Sequence, residues 1–151
     1  MENLFIKWEL AKQLKEIGFD KPCLGVWEFV VVGDTIPVFR YNFKTGYDGE
    51  KMWFNHNVYK PRYKEDNQDW FWSAPMYDQI FAWFREKHEL FGETSMYIPE
   101  EGDLDGCITY IGMYSSIVDY KKDTKVIKEY FSSETLANDA VIKEMIKKVK
   151  S

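Results

Sequence analysis

Tyr77, Ile80, Phe81, Phe84 and His88 fall at i, i+3, i+4, i+7 and i+11, a single stripe at the helical period and the strongest hydrophobic pattern in the chain. The spacing predicts a central helix that buries this stripe and turns Asp78, Arg85, Glu86 and Glu89 away from it. Ser73 is the expected N-cap. Pro75 is placed early in the helix, where a fixed φ and a missing N–H are tolerated, and Phe91-Gly92 marks the exit. Met76 and Trp83 share a shoulder roughly 100° around from the stripe. Trp83 therefore has two readings, as cover for a neighbouring loop or strand and as an exposed contact surface. Upstream, Trp70, Phe71 and Trp72 show no period and suit a strand buried on both faces or an irregular plug. A large aromatic covers roughly 150–250 Å², so these three are expected to be mostly buried.

Two further helices follow from the same logic. Leu10, Ala11, Leu14 and Ile17 make the apolar face of a short helix from about Lys7 to Ile17, with Gly18 placed for a left-handed C-terminal position and Phe19 folding back on Leu14. Leu4, Phe5 and Ile6 leave the preceding residues open to helix or strand. At the other end, Ser132 or Ser133 caps a helix whose buried face is Val141, Ile142, Met145, Ile146 and Val149, with Lys143, Lys147, Lys148 and Lys150 opposite. This face is read as docking against the rest of the fold. A membrane surface or a partner's groove is the lesser alternative, because the face carries no aromatic anchor.

The strands are read from β-branched and aromatic runs. CLGVWEFVVV and TIPVFRYNF flank Gly33-Asp34, a hairpin signal. A loop centred on that pair sets Trp27 opposite Arg40, Phe29 opposite Val38 and Val31 opposite Ile36. On the other face Glu28 stands opposite Phe39 with Tyr41 close by, either solvated or held on an aromatic surface. Pro37 cannot donate to a ladder and predicts an edge strand. Further strands are expected at ETSMYIP, at CITYIGMYSSIVDY with a weak point at Gly112, and at KVIKEYF, an edge strand because both of its faces are mixed. The resulting class is α+β: an antiparallel sheet of about four to six strands packed by N-terminal, central and C-terminal helices, in a single domain over residues 1–151.

Lys44 to Gln68 breaks every pattern apart from a short strand expected over Lys51 to Phe54. Long irregular stretches in compact domains tend to carry function, and this one holds Trp53, His56, Tyr59 and Arg62. Together with Arg40, Glu28, Trp70 and Trp83 these are the candidate binding residues. His56 with Glu28 or Asp69 would suit acid-base catalysis, but no G-x-S-x-G, HExxH, P-loop or cysteine-histidine motif accompanies it. No catalytic residue, cofactor or metal is assigned. Glu100, Glu101, Asp103 and Asp105 miss the spacing of a calcium loop and read as a solvated turn.

Composition narrows the picture. Aromatic residues make up 18% of the chain, which is high, and the formal net charge of −5 argues against a general affinity for nucleic acid. Cys23 and Cys107 lack metal or redox spacing and read as small buried hydrophobes. No apolar run reaches the length of a membrane span, and MENLFIKWEL is too polar for a signal peptide, so a soluble cytoplasmic protein is expected.

Three segments, WELAKQLKEIGFDKPC, NQDWFWSAPMYDQIFAWFREKHEL and TLANDAVIKEMIKKVK, carry a resemblance. The second is the most specific, through Asp69-Trp70, Ser73-Ala74-Pro75, Tyr77, Phe81 and the run Trp83 to Lys87. With them the chain resembles a widespread family of small uncharacterised proteins of gut Bacteroidetes and their phages and mobile elements. The closing helix matches loosely, and residues 35–65 lie outside the likeness. The resemblance implies an origin and no activity. Two function classes remain. One is a non-catalytic module that binds a protein partner through exposed aromatic residues. The other is a small-molecule or nucleotide-binding protein, with a pocket between the sheet and the 44–68 segment in which Arg40, Arg62 and His56 face an anion.

Overall fold

In the computed structural model, residues 4–29, 36–41, 44–45, 51–52, 71–97, 109–116 and 125–151 are described. They form three helices and antiparallel sheets of three, two and three strands, so the class is α+β. The chain divides into two compact units, Met1–Met76 and Tyr77–Ser151.

In the first unit, α1 (Trp8–Glu16) buries Leu10, Ala11 and Leu14. It ends as its sequence requires. Gly18 takes a φ of 87°, the Gly18 N–H donates to Lys15 O at 3.1 Å, and the Phe19 N–H donates to Leu14 O at 2.9 Å. These are the two bonds of a Schellman end, which a left-handed glycine makes possible. Before the helix, Phe5 bridges to Met76 and the Ile6 N–H donates to Pro75 O at 3.2 Å, so this segment is extended.

Strands β1 (Gly25–Glu28), β2 (Val38–Tyr41) and β5 (Phe71–Ala74) form one sheet in the order β2-β1-β5, and β3 (Lys44–Thr45) pairs with β4 (Lys51–Met52). The expected antiparallel pairing of β1 with β2 is present and β2 is an edge among the described residues, but the register is one residue away from the expected one. Trp27 faces Phe39 and Glu28 faces Val38. A slip of one residue exchanges the faces of a strand. In the expected register Trp27 and Phe39 would project from opposite faces, whereas here their rings meet at 5.2 Å, and Phe39 reaches Tyr41 at 5.4 Å. On the far side of β1, Trp72 faces Trp27 and touches Phe29 at 5.4 Å and Trp8 at 6.2 Å. Contacts among rings on one face thus accompany the observed register. Trp72, Ser73 and Ala74 are buried, which selects the two-faced strand over the irregular plug.

In the second unit, α2 (Tyr77–His88) buries Tyr77, Ile80, Trp83 and Phe84. Both expected ends of this helix need correction. Ser73 does not cap it, because Ser73 is committed to β5 opposite Val26. At the C-terminus, Glu89 alone connects α2 to β6 (Leu90–Tyr97), with a φ of 54°. Gly92 is therefore no helix cap; it lies inside β6.

Strands β6, β7 (Thr109–Ser116) and β8 (Lys125–Phe131) form an antiparallel sheet in that order, which among the described residues leaves β8 at an edge as its mixed faces predict. The β7–β8 register shifts between Tyr110 and Gly112, the weak point expected in that run. Helix α3 (Glu134–Lys150) starts where the Ser133 hydroxyl accepts from the Leu136 N–H at 3.3 Å, and it packs on this sheet with Val141 and Met145 against the strands; Ile142 and Ile146 are buried as well. Its approach depends on two glycines. A Cβ on Gly112 would lie 2.4 Å from a Val141 methyl, and one on Gly92 would lie 2.6 Å from the Met145 sulfur.

Candidate functional site

Of the candidate residues, Trp53, His56, Tyr59, Arg62 and Trp70 lie outside the described residues, as do Cys107 and the acidic turn at 100–105. The other three are placed. Trp83 is 1% exposed, with its ring 5.1 Å from Phe84 and 4.7 Å from His88. That burial corrects its reading as a contact surface and assigns it to the core. Glu28 and Arg40 form an ion pair, made possible by the register, which puts Arg40 opposite Val26 and diagonally across from Glu28 on the same face. The carboxylate is thereby matched by a partly exposed cation, a small contribution to stability.

Two surfaces stand out among the described residues. The first is the edge strand β2 with the residues leading into it. Ile36, Val38 and Tyr41 are 71%, 48% and 43% exposed. By alternation Val38 belongs to one face of the strand and Phe39 and Tyr41 to the other, so both faces carry apolar groups to the edge. Tyr41 continues the ring contacts that run inward through Phe39 to Trp27 and Phe5, and the Trp27 indole N–H is fixed by the Ile6 carbonyl at 2.9 Å.

The second surface is an open cleft of about 400 Å³ in the second unit. Helix α2 contributes Asp78, Phe81 and Arg85, at i, i+3 and i+7; β6 contributes Gly92, Glu93 and Thr94; α3 contributes Glu134 and Asn138, at i and i+4. The Thr94 hydroxyl donates to the Asn138 side-chain carbonyl at 3.1 Å, and the Arg85 guanidinium stands 5.3 Å from the centre of the Phe91 ring. The helical spacings of Asp78 with Arg85 and of Glu134 with Asn138 are readable in the sequence. Their convergence on β6 is not, because it depends on how α2 and α3 pack.

Three further groups, Cys23 in the first unit and Tyr77 and His88 in the second, have shifted pKa values. The Tyr77 hydroxyl donates to Asp139 at 2.7 Å; burial first, and then this carboxylate, push its pKa far above the usual tyrosine value. The Cys23 thiol is pushed up to about 12 by burial, against a smaller opposing effect of its bond with Ser73. A thiol so disposed supplies no thiolate near neutral pH. The buried Nε2 of His88 has no hydrogen-bond partner among the described residues, and burial, helped by Lys87, lowers its pKa below 6.5. Among the described residues no group of three His, Cys, Asp or Glu side chains is placed to hold a metal ion, and no helix is long and apolar enough to cross a membrane. No family model matches the chain, and neither a curated protein nor a solved structure matches it.

Proposed function

We propose that this protein is an accessory protein of Bacteroidetes phages or related mobile elements, acting in the cytoplasm as a non-catalytic module that binds a protein partner through exposed aromatic and apolar side chains. The observation that carries the reading is the β2 edge, where Ile36, Val38 and Tyr41 stay exposed while the rings behind Tyr41 are packed together. A strand at the side of a sheet can take up an extended segment of a partner, and side chains on alternate faces supply selectivity. The origin rests on the likeness around Asp69-Trp70, Ser73-Ala74-Pro75 and Trp83 to Lys87.

The test uses two tagged baits in lysate of a Bacteroidetes host: the native chain and a variant combining Ile36→Lys and Val38→Lys. Both substituted side chains are exposed and the lysine introduced at position 38 stands opposite Glu28, so circular dichroism and thermal unfolding should match between the two. Proteins retained by the native chain and lost with the variant support the edge as the contact surface. Equal recovery with both baits excludes it.

A further inference from the structure

We propose that the segment taken up along β2 is an extended stretch of a partner protein with an acidic residue between apolar ones, an inference that rests on the reading of β2 as the contact edge. The strand already paired with β2 shows what it accepts. On β1, Trp27 stands opposite Phe39 with the two rings in contact, and the next residue, Glu28, reaches Arg40 diagonally across the pair. Successive side chains of a strand point to opposite faces. Adjacent residues of one strand thus supply an apolar group to the rings and a carboxylate to the guanidinium.

The side of β2 away from β1 retains both halves of this pattern. Arg40 is the only charged residue of β2, and its side chain is 56% exposed against 22% for Glu28, so the charge that the pair turns outward is the cation. One carboxylate does not saturate it. The contact with Glu28 runs through Nε, and a guanidinium has more N–H donors in its fork than one carboxylate can accept. Val38 and Tyr41, on opposite faces, stay exposed on either side of it.

Alternation then fixes the partner's pattern. A carboxylate opposite Arg40 shares its face, the residues on either side of that carboxylate lie opposite Phe39 and Tyr41 on the ring-bearing face, and the residue beyond lies opposite Val38. A lysine or arginine in the acidic position sets like charges directly opposite one another, which is destabilising, so the edge selects by charge as well as by shape. A second copy of β2 does not meet the pattern, since Val38 to Tyr41 include no acidic residue.

Fluorescence anisotropy of the full chain with labelled, end-blocked peptides tests this. Each peptide is a short run of threonines whose centre is valine, a variable residue and valine, the variable residue being glutamate, glutamine or lysine. At low ionic strength the glutamate peptide should saturate, the glutamine peptide should bind about tenfold more weakly, and the lysine peptide should not saturate, with the amide signals of Val38 to Tyr41 shifting on titration. In the double variant Glu28→Gln, Arg40→Gln, which leaves neither charge unpaired, the glutamate and glutamine peptides should bind alike. Should that variant unfold, salt gives the same reading in the native chain, where the preference for glutamate should shrink as ionic strength rises. Equal affinity for the glutamate and lysine peptides, a preference that survives the double variant or high salt, amide shifts that spare β2, or no saturation with any peptide overturns the proposal. The lysate comparison scores Ile36 and Val38 rather than Arg40, so it can succeed where this preference fails.

Discussion

In the first unit, the sheet of β1, β2 and β5 carries rings in mutual contact on one face; in the second, α3 lies against strands that have no side chain at the points of closest approach. The two kinds of packing leave different surfaces behind. Rings make contacts over 4.8–6.2 Å between centroids at varied tilts, and the series continues out to a half-exposed Tyr41 at the sheet edge. Close approach over glycine instead brings backbone and short side chains together, and where α2, β6 and α3 diverge it leaves a polar cleft.

The largest expected effect tests whether both tryptophans are core. Trp72→Ala in the first unit and Trp83→Ala in the second should each cost about 3–5 kcal/mol in urea unfolding. A silent Trp83→Ala would return that ring to the surface. Next, Tyr77→Phe removes a donor from the buried Asp139 carboxylate and should cost about 2–3 kcal/mol by the same measurement.

The glycine contrast is finer. Gly112→Ala should cost about 2 kcal/mol, because the stiff Val141 cannot withdraw its methyl, while Gly92→Ala should cost less, about 1 kcal/mol, because the flexible Met145 can move its sulfur and the half-buried Phe81 ring, 3.0 Å from the new Cβ, need yield only a little. Equal costs would show that close approach is not what limits α3.

A smaller effect is read in pH. The folded-state pKa of His88 is lowered, so between that value and 6.5 the unfolded chain binds more protons than the folded one. Its contribution to stability is therefore present above 6.5 and is lost as pH falls through that window. Urea midpoints measured down from neutrality should fall less in His88→Gln than in the native chain. Last, Glu89→Gly should raise stability by about 0.5–1 kcal/mol, since it relieves a left-handed non-glycine residue at a one-residue connection. No gain would mean that the side chain is held by interactions that offset the strain.

Local signals are legible in the amino-acid sequence. The Gly18 end of α1 and the Ser133 cap of α3 require only a few neighbouring residues, and the apolar stripe of α3, with Tyr77, Ile80 and Phe84 of the α2 stripe, marks buried faces because helical spacing is set by the backbone itself; Phe81 and His88 are only half-buried. The β2 and β8 edges can be read from Pro37 and from mixed strand faces. Ser73 and Gly92 depart from expectation for a common reason, and the same kind of ambiguity left Trp83 with two readings, of which the buried one holds. Each residue type has two uses, as cap or strand member, helix stop or close-approach point, contact surface or core, and only partners distant in sequence choose between them: Val26 for Ser73, and Met145 for Gly92.

The amino-acid sequence by itself determined the α+β class, the helices and the edge strands, because these follow from periodicity, capping and backbone chemistry within short windows. Tertiary structure alone decided the β1–β2 register and the gathering of Asp78, Glu93 and Glu134 around one cleft. A one-residue slip leaves the pattern along each strand unchanged while exchanging what its faces meet. The convergence of α2, β6 and α3 depends likewise on contacts that no short window contains.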